Sequence, residues 1–379
     1  MKFQVNRDVL AEAVSFAVKL LSGRNPLAIL SGVLIEATPE GVVLSSFDYE
    51  VSTTTTIAAT VEEPGRVLIL GRLLADIASR LPNAPVTIST QDSKVLVTCG
   101  SSEFTLLSMS LDEYPTIPKV SGQTGVVKAD EFGVAVSQVA LAAAREDAMQ
   151  VITGIFFEVS DNKLNLVATD RYRIAVRQLD WDNGEADDFT ALVPARTVNE
   201  IGKTFANAGT ISISLSRVDE REMIAFTADN KTVTSLLIKG TFPPVKKHFP
   251  DSISQYAVVN TAELIEATRR VKLVVEKDGF MRFTFGNGQI ALESLNGAQA
   301  QAHENVDAIT NNDEIILSLK ADFLLDGLNA VHSEFTRISF IVSDIATKPS
   351  PILLTSQTSR EADNSDEFRY LLQPRLLVR

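Results

Sequence analysis

The chain has 379 residues, of which 45% are hydrophobic and 22% are charged. Such a composition can bury a core and still cover a surface, so it indicates a globular protein rather than a disordered one. The length predicts two or three domains, because a domain usually spans about 100 to 200 residues. The formal net charge of -13 repels a phosphate backbone on average and argues against nucleic-acid binding.

The sequence carries no recognisable signal for export or membrane insertion. Its first residues, Met1–Arg7, are polar where a secretory signal would be apolar, and no run approaches the ~18 apolar residues of a membrane span. The one cysteine, Cys99, excludes an intrachain disulfide and a cysteine-based metal site. We therefore expect a protein of the reducing cytoplasm, with Cys99 packed inside a strand.

A weak repeat with a period near 125 residues runs three times through the chain. Each copy opens with an extended stretch and then a helical pattern, at 3–21, 126–144 and 256–275. The predicted helix caps are Asn6, Asp130, and Asn260 or Thr261. Each repeat therefore begins with an amphipathic helix.

Strand patterns follow each of these helices. Gly32–Glu36 and Gly154–Glu158 lie 122 positions apart, the same offset that separates Leu10 from Phe132. A looser third copy begins at Gly279. A second strand and helix recur at 67–80, 190–205 and 315–330, and alternating strands close each copy. Each repeat thus contains two helices and several short strands, an α+β arrangement.

Proline-bearing segments mark the predicted domain boundaries. Tyr114–Pro118 and Phe242–Pro250 occupy equivalent places in the first two repeats, and proline holds a chain extended, as a linker requires. The predicted domains are 1–122, 123–252 and 253–379. One large mixed domain with accidental internal similarity is the alternative.

No catalytic or metal-binding motif stands out in the sequence. The three histidines, His248, His303 and His332, lie in unrelated contexts without metal-ligand spacing or a nucleophile nearby. No strand is followed by a phosphate-binding glycine pattern, and Gly286–Gly288 is typical of a hairpin turn. These observations favour a scaffold over an enzyme and predict neither a cofactor nor a metal.

Three segments, Ala168–Val176, Phe242–Lys247 and Tyr370–Arg375, resemble the bacterial sliding clamp family, the beta subunit of DNA polymerase III. Met1–Phe3 and Pro26–Gly32 resemble it as well. The resemblance implies a non-catalytic processivity factor whose two chains form a head-to-tail ring around duplex DNA, without sequence specificity. Helices would line the hole and antiparallel sheets would lie outside. The implied partners are a clamp loader, and polymerases and repair proteins that bind through short peptides.

The expected number of helices agrees with a ring of two chains. Twelve helices spaced ~9.5 Å apart leave a hole of about 26 Å, which accommodates a duplex. One chain would leave only about 8 Å and three chains about 45 Å by the same arithmetic. A dimer is the natural fit.

The resemblance also implies DNA contacts. The segments predicted to line the hole carry 12 basic and 13 acidic residues, so they are nearly neutral in an acidic chain. Arg24, Arg72 and Gln150 stand at positions that contact DNA in the family, and Arg145 falls late in a helical segment. One member of the family carries two aromatic residues where this chain has Gln150 and Val151.

The resemblance also implies two protein-binding surfaces, a ring contact and a peptide groove. For the ring contact, the resemblance implies that Phe104 and Leu106 meet Lys272 and Leu273. It also implies a groove for partner peptides, lined by Ile152, Thr169, Arg171, Tyr172, Arg173, Ile174, Pro243, Lys247, Phe323, Pro351, Leu371, Leu372, Gln373, Pro374 and Arg375. Many relatives have glycine and histidine in place of Arg171 and Tyr172, and methionine is common in place of Gln373.

Two other functions remain open on the sequence alone. A three-repeat scaffold could bind peptides without enclosing DNA. An enzyme could use the polar loop Thr169–Arg173, although the sequence supplies no ligand set for a metal or a cofactor there.

Overall fold

A computed structural model describes residues 1–21, 27–120, 124–146, 148–182, 188–218, 221–250, 253–276, 279–295, 300–311, 313–341 and 350–375. The chain divides into two compact units. Unit 1 comprises Met1–Asp130, Asp182–Asp187 and Glu200–Leu237. Unit 2 comprises Glu131–Trp181, Asp188–Asn199 and Ile238–Arg379. Residues of the middle repeat are thus shared between the two units, and the predicted domain boundaries remain predictions.

Each predicted repeat contributes two α-helices to the described part of the chain. They are α1 Arg7–Lys19, α2 Gly71–Ala78, α3 Ala129–Ala140, α4 Ala195–Phe205, α5 Thr261–Lys272 and α6 Ala321–Val331. The amphipathic patterns are confirmed, since the predicted apolar faces of α1 and α5 are buried. Short 3-10 helices add Ala28–Ser31, Gln150–Thr153 and Val245–His248.

Two of the three predicted N-terminal helix caps are confirmed. The side chain of Asn6 accepts a hydrogen bond from the backbone N–H of Asp8 at 2.8 Å, and Asn260 accepts one from Glu263 at 3.1 Å. Asp130 is not a cap, because α3 already begins at Ala129 and places Asp130 in its first turn. In that turn its carboxylate faces the positive end of the helix dipole.

Antiparallel strands make up the rest of each repeat. The first repeat contains β1 Lys2–Val5, β2 Gly32–Thr38, β3 Gly41–Phe47, β4 Val51–Ile57, β5 Thr60–Glu63, β6 Gly65–Leu70, β7 Val86–Gln91, β8 Lys94–Cys99 and β9 Ser102–Met109. The second contains β10 Thr124–Lys128, β11 Gly154–Ser160, β12 Lys163–Thr169, β13 Arg173–Asp180, β14 Phe189–Pro194, β15 Thr210–Val218, β16 Arg221–Ala228 and β17 Lys231–Leu236. The third contains β18 Gln255–Asn260, β19 Phe280–Gly286, β20 Gln289–Ser294, β21 His303–Thr310, β22 Ile315–Lys320, β23 Phe335–Phe340, β24 Ile352–Gln357 and β25 Asn364–Leu372.

One long antiparallel sheet runs through each unit. Unit 1 holds thirteen strands in the order β10-β15-β16-β17-β4-β3-β2-β6-β9-β8-β7-β1-β5. Unit 2 holds twelve in the order β14-β11-β12-β13-β25-β24-β23-β18-β21-β20-β19-β22. Strands of different repeats pair within each sheet: Thr55 of β4 lies opposite Lys231 of β17, and Arg173 of β13 lies opposite Leu372 of β25. The chain therefore joins its repeats by shared sheets.

The buried core follows the strand alternation. In unit 1 it includes Leu10 and Val14 of α1 and Cys99 of β8, so the prediction that Cys99 packs inside a strand is confirmed. Gly286 and Gly288 form the tight turn between β19 and β20, as predicted, and both have positive φ. None of the helices in the described ranges has the length and apolar character that a bilayer crossing requires.

Candidate functional site

A groove of about 800 Å³ opens on the surface of unit 2. It lies where the end of β12, the start of β13 and the end of β25 meet the 3-10 helix Val245–His248. Its apolar lining comes from β13 and β25, from the 3-10 helices Gln150–Thr153 and Val245–His248, and from loop residues such as Pro243 and Pro351. The lining residues are Met149, Ile152, Thr169, Arg171, Tyr172, Arg173, Ile174, Pro243, Val245, Lys247, His248, Ile341, Ser350, Pro351, Leu371 and Gln373.

The loop between β12 and β13 is fixed by short-range hydrogen bonds. A carboxylate oxygen of Asp170 accepts from the backbone N–H groups of Tyr172 and Arg173, at 3.0 and 3.1 Å. Thr169 donates its hydroxyl to the carbonyl oxygen of Arg173 at 2.7 Å. Arg171 has a φ of 78°. This angle lies in the left-handed region, which residues other than glycine rarely adopt. The loop thus holds Tyr172 outward, and that side chain is 62% exposed.

Arg173 links this loop to the third repeat through a partly buried network of hydrogen bonds. Its Nε donates to Asp170 at 2.9 Å, and its Nη1 donates to Asp326 of α6 at 2.6 Å. Nη1 also lies 3.3 Å from the hydroxyl of Tyr370, and the guanidinium lies over the ring of Phe323. Burial opposes the charge, but the carboxylates of Asp326 and Asp170 outweigh it and raise the pKa of Arg173. The guanidinium is therefore a fixed cation in the groove wall.

Tyr370 anchors the other side of this network. Burial raises the pKa of its phenol, so the hydroxyl stays protonated and donates to the carbonyl oxygen of Phe323 at 2.8 Å. Its ring lies against Gly327 of α6, where an added Cβ would come within 2.5 Å of ring carbons. Glycine at this position lets the helix approach β25 closely enough for Asp326 to reach Arg173.

A second pocket of about 530 Å³ adjoins the groove. Tyr172 and Gln373 belong to both, and the N–H of Gln373 donates to the carbonyl oxygen of Tyr172 at 2.9 Å. The other lining residues are Phe280, Lys320, Phe323, Pro374 and Arg375. The side chains of Lys320 and Arg375 each lie 5.0 Å from a ring centroid, those of Phe323 and Phe280 respectively. This pocket combines aromatic walls with positive charge.

The structure brings together nearly all residues that the resemblance assigned to a peptide groove. Eleven of them line the first pocket: Ile152, Thr169, Arg171, Tyr172, Arg173, Ile174, Pro243, Lys247, Pro351, Leu371 and Gln373. Phe323, Pro374 and Arg375 line the second. Leu372 is a correction: it lines neither pocket, because the alternation of β25 turns its side chain into the core, where it is fully buried.

Several lining residues were missed from the sequence. Val245 and His248 continue the segment that begins at Pro243, so chain adjacency was a usable signal. Met149, Ile341, Ser350, Phe280 and Lys320 are also lining residues, but they come from separate strands and loops, and no local pattern marks them.

Arg24 lies outside the described residues. The other three predicted DNA-contact residues, Arg72, Arg145 and Gln150, lie at exposed positions. Arg72 lies on α2 in unit 1 and donates to the carbonyl oxygen of Leu21 at 3.2 Å. Arg145 and Gln150 belong to unit 2. Arg145 was expected late in a helix, but α3 ends at Ala140 and Arg145 lies in the bend that follows.

The predicted ring-contact residues separate into exposed and buried ones. Phe104 of β9 is 39% exposed and Leu273, directly after α5, is 85% exposed. Lys272 forms an ion pair with Asp322. Leu106 is 8% exposed and belongs to the core of unit 1, and its part in the ring contact remains a prediction. The outward residue beside it is Leu107, which is 73% exposed on the opposite face of β9.

Comparison with known proteins assigns each third of the chain separately. Profiles of the DNA polymerase III beta subunit match it with the N-terminal domain over residues 1–118, the central domain over 126–244 and the C-terminal domain over 246–364. A beta sliding clamp from Streptomyces coelicolor is 41% identical over 376 residues, covering 99% of both chains. The beta sliding clamp homolog GriR of Streptomyces muensis is 38% identical over 375 residues, again covering 99% of both.

Solved structures share the fold over the full length. The DNA polymerase sliding clamp from Bacillus subtilis matches with a TM-score of 0.91 at 24% identity, covering 100% of both chains. A sliding clamp from Pseudomonas aeruginosa bound to griselimycin matches with a TM-score of 0.90 at 25% identity, also covering 100% of both.

Proposed function

Because the chain belongs to the DNA polymerase III beta subunit family, we propose that two copies close head to tail into a ring around duplex DNA. The ring is a sliding clamp, a non-catalytic processivity factor that tethers the replicative polymerase and repair proteins. A clamp loader places it on DNA in the cytoplasm. The observation that carries this proposal is the way the repeats are joined.

The same two kinds of strand form both joints between repeats. The last strand of the second repeat, β17, pairs with the fourth strand of the first, β4. The last strand of the third repeat, β25, pairs in the same way with the fourth strand of the second, β13. One strand of each kind is left over: β9, the last strand of the first repeat, and β21, the fourth strand of the third. A head-to-tail contact between two copies pairs them.

The leftover strands have open edges in the described parts of the chain. Ser102–Leu107 of β9 pair with β8 alone, while β6 takes up only Ser108 and Met109. His303–Asp307 of β21 pair with β20 alone, while β18 takes up only the last three residues. Unpaired edges invite another chain. A second copy would supply the missing pairing at both ends.

Burial along the last strands supports the same contact. Val233 of β17 and Tyr370 of β25 occupy the position of Phe104 in β9 and are 1% and 0% exposed, whereas Phe104 is 39% exposed. The two buried residues are covered within joints between repeats. The exposure of Phe104 is explained if a second copy covers it. In that contact, Leu273 of the second copy would lie beside Phe104.

The groove of unit 2 suits the short peptides of clamp partners. Apolar anchors fit among Ile174, Pro243 and Leu371, while Arg171 and Lys247 at the wall attract acidic peptide residues. The structural relative from Pseudomonas aeruginosa binds griselimycin, and we propose that the groove of this chain binds partner peptides. Arg24, Arg72, Arg145 and Gln150 would contact phosphates loosely, as a sliding ring requires.

Processive synthesis tests this function directly. A primed single-stranded circle is copied by the cognate polymerase and clamp loader, and product length is measured under single-hit conditions. With the protein, product length should rise to thousands of nucleotides or the full circle, because the polymerase stays tethered. Product lengths that are the same with and without the protein would contradict the proposal.

A further inference from the structure

Two arginines of unit 2 lie in one row across three strands of the sheet. Arg369 of β25 is opposite Thr355 of β24, and Thr355 is opposite Arg337 of β23. Residues opposite one another in antiparallel strands point to the same side of a sheet. The next residue of β25, Tyr370, packs against Gly327 of α6. The three residues, which we call the arginine row, therefore lie on the sheet face that α6 does not cover.

Each guanidinium of the arginine row lies over an aromatic ring. The Cζ atom of Arg337 is 3.6 Å from the ring centroid of Tyr256, and that of Arg369 is 4.9 Å from the ring centroid of Phe249. A ring face attracts a cation but does not cancel its charge. Two strand spacings separate the Cα atoms of the arginines by about 10 Å. The row therefore holds two positive charges in place, close enough for one extended segment to reach both.

Neither arginine of the row forms an ion pair within the described part of the chain. Glu367, two residues before Arg369 on β25, is instead paired with Arg177 at 3.0 Å. The Nε of Arg369 and the hydroxyl of Thr355 are buried without a hydrogen-bond partner among the described residues. The chain as a whole has a net charge of -13. The arginine row is thus a positive patch that the chain itself does not neutralise.

The arginine row borders the groove of unit 2. Leu371 lines the groove and lies on the same face of β25 as Arg369, two residues or about 7 Å away. His248 also lines the groove, and the next residue, Phe249, lies against the guanidinium of Arg369. No aspartate or glutamate is among the described residues that line the groove. A peptide that continues beyond the groove therefore enters positive surroundings and can reach the row.

We infer that Arg337 and Arg369 bind an acidic segment that flanks the groove-binding motif of a partner protein. The inference rests on the proposed peptide groove and adds the class of partner that this surface favours. Carboxylates of the segment pair with the guanidinium Nη groups while the aromatic rings hold the guanidinium faces. DNA inside the proposed ring is not the occupant, because α6 and the other helices that line the hole lie on the opposite face of the sheet.

Peptides with charged and neutral flanks test the inference on the full-length protein. A labelled groove-binding peptide from the cognate polymerase is extended at either end with a run of glutamates or, as the control, with a run of glutamines. Fluorescence anisotropy at low ionic strength should show that glutamates at one end tighten binding roughly three- to tenfold over glutamines at the same end. The gain should fade in high salt, because exposed ion pairs are screened.

Removing the charge of the arginine row should abolish this gain. The double variant Arg337→Gln with Arg369→Gln should bind both kinds of extended peptide equally, and the unextended peptide as tightly as the parent does. Arg66→Gln with Arg80→Gln removes the same charge from exposed positions of unit 1 and should keep the gain. Thr355→Glu leaves both arginines in place but puts a carboxylate between them, so it should also lose the gain.

The outcomes separate this inference from the proposed function. No gain from glutamates at either end, or a gain that survives Arg337→Gln with Arg369→Gln, overturns the inference while the groove stands. A single-stranded oligonucleotide that binds the parent and not this double variant would assign the row to nucleic acid and overturn it as well. An unextended peptide that does not bind the parent overturns the proposed groove itself.

Discussion

Arg173 and Asp326 are joined by a charge-assisted hydrogen bond of 2.6 Å from Nη1 to Oδ2, although 153 positions separate them in the chain. The bond holds the loop between β12 and β13 against α6. Because Tyr172 and Arg171 are carried by that loop, the shape of the groove depends on a contact between the second and third repeats. The groove is thus formed in advance of any peptide.

Replacing Asp326 should loosen the groove without removing any residue that lines it. Asp326→Asn keeps the shape but loses the charge, so we expect peptide affinity to fall by about 1 kcal/mol, roughly fivefold. Fluorescence anisotropy with a labelled partner peptide measures this. Asp366→Asn, an exposed change on β25, is the control and should leave the affinity unchanged. Equal affinities for both variants would show that the groove does not depend on this bond.

Tyr172 should matter for peptide binding and not for stability. Its side chain is 62% exposed and contacts Phe323 with ring centroids 6.2 Å apart. Tyr172→Ala removes an aromatic wall shared by both pockets, so peptide affinity should fall about tenfold while the unfolding midpoint stays the same. Tyr49→Ala, a 47% exposed tyrosine in unit 1, should change neither. A loss of stability without a loss of affinity would refute the assignment.

Phe104 should stabilise the dimer through the face of β9 that a second copy covers. Phe104→Ala should raise the dimer dissociation constant at least tenfold, since it removes a large apolar contact. Leu107→Ala is the matched control on the opposite face of the same strand, where the side chain is 73% exposed. Analytical ultracentrifugation over a dilution series distinguishes them. Equal effects of both variants would place the contact elsewhere.

Tyr114 should give unit 1 an alkaline limit. Its phenol accepts from the N–H of Phe47 at 2.8 Å, and burial raises its pKa to about 12. Between pH 10 and 12 the unfolded chain releases this proton while the folded chain keeps it, so stability falls as pH rises. Below pH 10 the contribution is constant. The loss is about 2 kcal/mol.

Tyr114→Phe removes this titration. The variant should be less stable than the parent at pH 8, because it loses a hydrogen bond. The difference should shrink between pH 10 and 12. Urea unfolding followed by circular dichroism at both ends of that range measures it. A constant difference would mean that the phenol does not titrate in this window.

Patterns along the chain predicted the repeated elements well, because periodicity and caps are local. They failed where the outcome depends on long-range packing. The end of α3 placed Arg145 beyond the helix, and strand alternation turned Leu372 into the core. Arg171 has a positive φ, a conformation that favours glycine and that is visible only in three dimensions. The groove residues contributed by Ile341 and Phe280 depend on chain crossings that no local motif records.

Topological retention on DNA tests the central claim most directly. The protein is loaded by its clamp loader onto a nicked circular plasmid, washed in high salt, and measured before and after the plasmid is cut once. A closed ring should remain on the circle and leave the linear molecule within minutes by sliding off its ends. Loss from the intact circle in high salt, or equal retention on circular and linear DNA, would contradict the account.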